Sequence, residues 1–406
     1  MYLELESDAA TLPAPYRPRF SLRGRLIRSA LRAIHKGRLT VVLANGARIE
    51  HCGEEPGAAA TIILTNGRAL RRILTGGDLG FAEGYVAGDW ITPDLVALIS
   101  LFADNVARMQ PTMDGFEPVR LFNRLRHLLR PNSKTGSRRN IAFHYDLGND
   151  FYRLWLDASM TYSSACDLAP GQSLEAAQAE RLERIAGLLE LTGHESVLEI
   201  GCGWGALAAH LAPRCAAVTG ITLSREQLTF GQQRCAREGR SNVELRLQDY
   251  RDVTECFDRI VSIEMLEAVG EAWWPTYFDR LRACLKPGGT AVLQVITMRA
   301  DRFVSYRTGI DFIQKYVFPG GMLPTEEIIL EQAERAGLTL ASVDHFASGY
   351  AATLAEWRRR FLEHADHVAR LGFDANFRRL WEYYLCYCEA GFRSGTITVG
   401  LYVLKG

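Results

Sequence analysis

The chain has 406 residues, 48% hydrophobic and 23% charged, and its 47 basic side chains balance 47 acidic ones. That length allows two or three domains, and the composition excludes a disordered or fibrous chain. Nine cysteines without regular spacing exclude a disulfide framework and a zinc pattern, and no apolar run is long enough to span a bilayer.

Residues 1–16 read as a tail, acidic at first (Glu4, Glu6, Asp8) and without the order of a secretory signal. Unpaired thiols suit a reducing compartment, so a cytoplasmic location is expected. Between Ala9 and Arg48 there is no acid, while Arg17, Arg19, Arg23, Arg25, Arg28, Arg32, Lys36, Arg38 and Arg48 are basic. Phe20 to Ile34 alternates apolar residues with arginines at helical spacing. Such a helix can lie on a membrane surface or pack on the next domain with its arginines solvated. Thr40–Leu43, an Asn45-Gly46 turn and a return strand predict a hairpin. A strand at Thr61–Leu64 and a turn at Gly76-Gly77-Asp78 complete a small α+β domain, residues 1–115. Residues 116–139 form a connector with a second basic block (Arg120, Arg124, Arg126, Arg130, Lys134, Arg138, Arg139). Both blocks suit an anionic surface. Few aromatics accompany them, which argues against nucleic acid.

From Asn140 onward the pattern changes. Tyr145, Phe151, Tyr152, Trp155 and Tyr162 crowd one segment, either as core or as a lid over a ligand. Leu174 to Leu191 has a 3.6-residue apolar period with a Glu180–Arg184 pair, predicting a helix. SVLEIGCGWGALAAHL, residues 196–211, then reads as strand, glycine turn and helix. Six further strands are expected at Ala217–Thr222, Val243–Asp249, Arg259–Glu264, Ala291–Ile296, Leu338–Phe346 and Thr396–Leu404. Helical segments between most of them imply a seven-stranded, largely parallel, doubly wound α/β sheet over residues 140–406.

Ligands of such sheets bind at the carboxyl ends of the strands. The first strand ends at Glu199, Gly201, Gly203 and Gly205. The acid is costly to bury without a partner, and glycines allow unusual backbone angles and close approach of a ligand. The second ends at Thr222, with Ser224 and Gln227, where an acid for ribose hydroxyls would be usual. The third ends Gln248-Asp249-Tyr250, a carboxylate for an amine and a ring for stacking. The fourth carries two carboxylates, Glu264 and Glu267, a setting in which one pKa can rise for proton transfer. No metal-ligand pattern is present.

In this order HYDLGNDFY (144–152), MTYSSA (160–165), VLEIGCGWG (197–205), TLSREQ (222–227), QDYRD (248–252), QKYVFPGG (314–321) and EAGFRSG (389–395) resemble the cyclopropane-fatty-acyl-phospholipid synthases. The resemblance implies a class I methyltransferase (Rossmann-like) fold and S-adenosylmethionine as cofactor. Tyr145, Tyr162, Ser163, Glu199, Gly201, Gly203, Gly205, Thr222, Leu223, Ser224, Gln227, Asp249, Tyr250 and Arg251 would hold it. It also implies a bicarbonate bound by Ser164, Glu267, Gln294, the backbone of Ile296, and Tyr350, with Cys388 at the active site. Ser164 and Gln294 stand where most members have Cys and many have His, and Ala268 replaces a common His, which puts the bicarbonate in question. The implied reaction methylates the cis double bond of an unsaturated phospholipid acyl chain through a carbocation. Aromatic faces from among Tyr145, Tyr162, Tyr316 and Tyr350 would stabilise the cation. The product is a cyclopropane or a methylene branch, the latter needing a reductase partner to become methyl. The implied location is cytoplasmic, peripheral to the membrane. A methyltransferase for another small molecule or RNA is the competing reading, and the oligomeric state stays open.

Overall fold

The computed structural model describes residues 22–113 and 147–406. The tail, the connector after Met113 and Tyr145 lie outside the described residues.

The first unit is a four-stranded sheet in the order β2-β1-β3-β4, formed by β1 (Lys36–Val42), β2 (Arg48–Cys52), β3 (Glu55–Leu64) and β4 (Trp90–Ile91). The expected hairpin joins β1 to β2, with Gly46 at φ +80° and its N–H on the Leu43 carbonyl. Helix α1 (Leu22–Leu31) buries Ile27 and Leu31, followed by Ile34, and leaves Arg28 exposed, as is Arg32 just past its end. Of the two arrangements open to this amphipathic segment, the described part packs on its own domain. The turn expected at Gly76-Gly77 is a kink inside one helix, α2 (Arg68–Val86), where Gly77 has φ 57° and ψ −133°. Helix α3 (Leu95–Met113) is pinned to β1 by the buried Asn105, whose Oδ1 accepts the N–H groups of His35 and Lys36 at 2.8 and 2.9 Å.

The second unit is a seven-stranded sheet in the order β10-β11-β9-β8-β5-β6-β7. Its strands are β5 (Ser196–Ile200), β6 (Ala217–Thr222), β7 (Val243–Leu247), β8 (Phe257–Ile263), β9 (Leu285–Met298), β10 (Thr339–His345) and β11 (Ile397–Lys405). β9, β8, β5, β6 and β7 pair in parallel, and β11 runs antiparallel to both neighbours. The expected seven-stranded, mostly parallel sheet is present. Val197, Leu198, Ile260, Val261, Ala291 and Val292 are fully buried, as continuous apolar strands covered on both faces require. Successive strands leave β5 in opposite directions, β6 and β7 on one side, β8 and β9 on the other. That reversal opens a crevice at the carboxyl ends of β5 and β8.

Helix α4 (Leu174–Leu188) precedes β5, capped by Ser173, and α5 (Ala206–Leu211) and α6 (Arg225–Arg237) follow β5 and β6. The pair expected within α4 is not made. Arg184 bonds Asp344 of β10, and Glu180 accepts from Gln172 at 2.9 Å. A cross-element partner outcompetes the pair along the helix. Between β8 and β9 lie α7 (Leu266–Val269) and α8 (Trp274–Cys284); α9 (Phe312–Tyr316) follows β9. Between β10 and β11 the chain inserts α10 (Ala347–Glu363) and α11 (Ala375–Arg393). The two units touch through α2, where Glu83 accepts from Lys315 Nζ at 2.7 Å and Tyr316 OH at 2.6 Å, and Tyr85 OH donates to Glu382 at 2.8 Å. Among the described residues no helix is long and apolar enough to cross a membrane.

Candidate active site

A cavity of ≈ 300 Å³ occupies the crevice, walled by the ends of β5, β6 and β8, by α7, and by α10 and α11. Phe151, Tyr152 and Trp155, open between core and lid in the sequence, are fully buried behind it, while Tyr162 lines it.

At one end lies the glycine turn. Gly201, Gly203 and Gly205 have φ of +84°, +51° and +78°, the left-handed region that favours glycine. The N–H groups of Gly201 and Cys202 both reach the Ile221 carbonyl at 2.9 Å, tying the turn to β6. A Cβ on Gly201 would sit 2.5 Å from Met265 Cγ, whereas at Gly203 there is open space. Gly201 and Gly203 line the cavity and Gly205 begins α5 instead. Glu199 also lines the cavity. Burial pushes its carboxyl up to about 8, against the pull of Arg181 and the Ala208 N–H, and its Oε2 has no hydrogen-bond partner. The partner expected for this acid is thus only half supplied by the protein. An orphaned buried acceptor beside a glycine cradle fits a ligand with donor groups.

Thr222, Leu223 and Gln227 line the cavity, with Thr222 Oγ1 3.0 Å from Gln227 Oε1. Ser224 does not line it; its Oγ caps α6 by accepting the Gln227 N–H at 3.3 Å. Asp249 and Arg251 also stay outside the wall. They form a bidentate pair at 2.8 and 2.7 Å, so the carboxylate expected for an amine is already engaged. Gln248 and Tyr250 take that edge, and burial pushes Tyr250 up to about 12.

The other end is built on acids. Glu264, at the end of β8, has φ 51°, a conformation that costs a non-glycine residue of order 1–3 kcal/mol and is characteristic of functional sites. Its Oε1 accepts from Ser163 Oγ at 2.6 Å and Gln294 Nε2 at 2.7 Å, and its Oε2 from Tyr350 OH at 2.6 Å. Glu267 Oε1 accepts the Ile296 backbone N–H at 2.6 Å, and its Oε2 is buried without a partner. Burial, then the nearby Glu264 charge, push Glu267 up to about 8. Both acids line the cavity.

This arrangement does not fit the bicarbonate that the sequence implied. Gln294 and Tyr350 spend their donors on Glu264, and the Ile296 N–H is spent on Glu267. Ser164 is fully buried outside the cavity wall, and its Oγ has no partner among the described residues. Side-chain carboxylates occupy those donors, Glu264 taking Gln294 and Tyr350 and Glu267 taking the Ile296 N–H.

Tyr162, Tyr350, Tyr384, Phe392 and Cys388 complete the wall. The Tyr350 ring stacks on Phe392 with centroids 4.3 Å apart, and Tyr162 OH lies 2.7 Å from Tyr384 OH. Tyr316, expected here, turns its hydroxyl to Glu83 instead. Burial drives the Cys388 thiol far up, so it lines the wall as a neutral group rather than a thiolate. The sequence reading missed Arg181, Tyr384 and Phe392. For Arg181 a signal existed: it occupies the buried stripe of α4 with Leu174, Ala177, Leu182 and Ile185, where a charge is out of place.

Comparison with known proteins bears on this geometry. The family model for mycolic acid cyclopropane synthetase matches residues 132–401. The tuberculostearic acid methyltransferase of Mycobacterium tuberculosis is 39% identical over 365 residues, 85% of this chain and 83% of that protein. The cyclopropane-fatty-acyl-phospholipid synthase of Escherichia coli strain K12 is 34% identical over 354 residues, 84% of this chain and 86% of that one. The crystal structure of a mycolic acid cyclopropane synthase complexed with SAH and CTAB superposes with a TM-score of 0.61 at 29% identity, covering 66% of this chain and 98% of that one.

Proposed function

The chain belongs to the mycolic acid cyclopropane synthetase family and is an S-adenosylmethionine-dependent C-methyltransferase of lipid acyl chains, and from that premise we propose that it adds one carbon to the cis double bond of an unsaturated acyl chain in a membrane phospholipid. The observation that carries this reading is the Glu264–Glu267 pair facing a cavity that Tyr162, Tyr350, Tyr384 and Phe392 also line.

The cofactor, when bound, supplies a methyl group made electrophilic by its sulfonium. Gly201, Gly203, Glu199, Thr222, Leu223, Gln227 and Tyr250 would hold it, and Tyr162 and Ser163 line the same cavity. An alkene is a weak nucleophile, so alignment in the closed cavity must supply much of the acceleration, of order 7–11 kcal/mol. Methyl addition leaves a cation on the acyl chain. The Glu264 carboxylate and the faces of Tyr162, Tyr350, Tyr384 and Phe392 stabilise it, the charge by attraction and the rings through their quadrupoles. Glu267 Oε2, unpartnered and with a raised pKa, then accepts a proton. The acyl chain gains CH₃ and loses H⁺, a net CH₂. Proton loss from the new methyl closes a cyclopropane; a hydride shift before proton loss leaves a methylene branch, which a separate reductase would have to saturate.

The two basic blocks would bring the protein to anionic headgroups, an attraction that weakens with salt. Exposed Arg28 on α1 and Arg32 just after it support this. Unchanged vesicle binding after replacement of Arg23, Arg25, Arg28 and Arg32 by Ala would remove it. The function itself is tested by incubating the protein with S-adenosylmethionine and unsaturated phospholipid vesicles, followed by mass spectrometry of the acyl chains. A gain of CH₂ is expected, with NMR separating ring from branch. No gain in mass refutes the proposal.

A further inference from the structure

A buried cation lies behind the two carboxylates. Arg181, on the inward face of α4, is 2% exposed and lines the cavity. Its hydrogen bonds go to neutral acceptors: Nε to Gln178 Oε1 at 3.2 Å, and Nη1 to Gln294 Oε1 at 3.1 Å and Ser163 Oγ at 3.3 Å.

A guanidinium can only donate. Gln294 must therefore turn its Oε1 toward Arg181, which points its Nε2 at Glu264 Oε1 and at Ser163 Oγ, 2.7 and 2.8 Å away. Ser163 Oγ accepts from both Arg181 and Gln294, so its single proton is left for Glu264 Oε1 at 2.6 Å. Gln178, with its oxygen likewise committed to Arg181, donates Nε2 to the Ser163 carbonyl at 2.5 Å and fixes that residue's backbone. The bonds that pass through Ser163 Oγ and Gln294 run outward from Arg181 and end at Glu264 Oε1, where no acceptor remains for a carboxyl proton. Among the described residues the other donor to Glu264 is Tyr350, at Oε2.

We propose that Arg181 is a positioning residue that holds Glu264 as an ionised carboxylate, by dictating the donor direction of Ser163 and Gln294 and by its own charge. The proposal rests on the reading of Glu264 as the anion facing the acyl cation. The groups acting on Glu264 from each neighbouring element are Arg181 from α4, Gln294 from β9, Glu267 from α7, Tyr350 from α10, and Ser163. Burial raises the Glu264 pKa; Ser163, Tyr350, Arg181 and Gln294 oppose it in that order. Glu199 of β5 and Asp157 share the Arg181 charge.

The test uses the cofactor-free full chain first. Infrared difference titration follows the protonated-carboxyl band that Glu264→Gln abolishes. In Arg181→Met that band should titrate about one pH unit or more higher than in the wild type. Arg181→Lys keeps the charge and the donor-only character, and should stay within about half a pH unit. In turnover with S-adenosylmethionine and unsaturated phospholipid vesicles, kcat of Arg181→Met should fall at pH 7, as the upward-shifted Glu264 loses part of its ionised fraction, and should recover toward wild type as the pH rises toward about 9. A band that titrates at the wild-type pH in Arg181→Met, or a loss of kcat equal at every pH, overturns the proposal. If Arg181→Met does not fold, Ser163→Ala removes one of the two bridges and must move the band upward by a smaller amount; an unmoved band is then decisive against it. Failure of the wild type to methylate any acyl chain would sink the functional reading alone, because the infrared result does not depend on turnover.

Discussion

Glu267→Gln separates proton removal from every other task of the cavity. The amide oxygen can still accept the Ile296 N–H, as Oε1 does at 2.6 Å, so the end of β9 stays anchored. What disappears is the unpartnered Oε2 with its raised pKa. Loss of a positioned general base lowers a rate by about 10²–10⁴-fold. With the carboxyl at about 8, roughly a tenth of the wild type carries an ionised Glu267 at pH 7, so kcat should climb about tenfold between pH 7 and pH 9. The climb belongs to the coupled Glu264–Glu267 pair, since the first charge raises the second. The variant should lose the climb along with the rate, while calorimetry shows S-adenosylmethionine affinity within about threefold of wild type, a change of under ~1 kcal/mol. The assay is product formation from labelled cofactor and unsaturated phospholipid vesicles across pH 6–9. If Glu267→Gln keeps its rate within tenfold of wild type at pH 7 and climbs with pH in the same way, the base has been misassigned.

Gly201→Ala places a Cβ 2.5 Å from Met265 Cγ at a backbone φ of +84°; left-handed strain and overpacking together should cost about 2–4 kcal/mol, read from the urea midpoint, with weaker cofactor binding by calorimetry. Cys388→Ser should leave kcat within about threefold, because the thiol stays neutral and supplies no nucleophile; a loss of a hundredfold or more would assign the sulfur a chemical role. For stability, burial raises the Glu199 pKa to about 8 in the folded chain. Between about pH 4.5 and pH 8 the folded state therefore holds a proton that the unfolded state has released. Stability should fall through that window by up to about 1.4 kcal/mol per pH unit from this group. Glu199→Gln should flatten the decline; equal slopes for the two proteins in urea titrations at pH 6 and pH 8 would contradict the assignment.

Much of this protein is readable along the chain because its signals are local. Alternating apolar runs and helical periods specify a parallel sheet, since strands buried on both faces must be apolar throughout. Three alternating glycines after Glu199 mark a turn because only glycine adopts those angles without strain. Ordered motifs place the chain in its family. Pairwise partnership is another matter, because it depends on which elements the fold brings side by side. Arg184 looked paired with Glu180 one turn away, yet Asp344 from β10 takes it. Asp249 looked free for a ligand until Arg251 closed on it. Tyr316 belongs by motif to the site, but the first unit's Glu83 claims its hydroxyl. The anion site implied by the resemblance is the clearest case. Sequence comparison could cast doubt on a bicarbonate from Ser164 and Gln294, but only the tertiary structure brings Glu264, Ser163, Gln294 and Tyr350 to one point from four separate segments. The glycine turn at 201–205 was legible in one dimension; the acid pair and the buried Arg181 behind it acquire meaning only in three, where hydrogen-bond direction is decided.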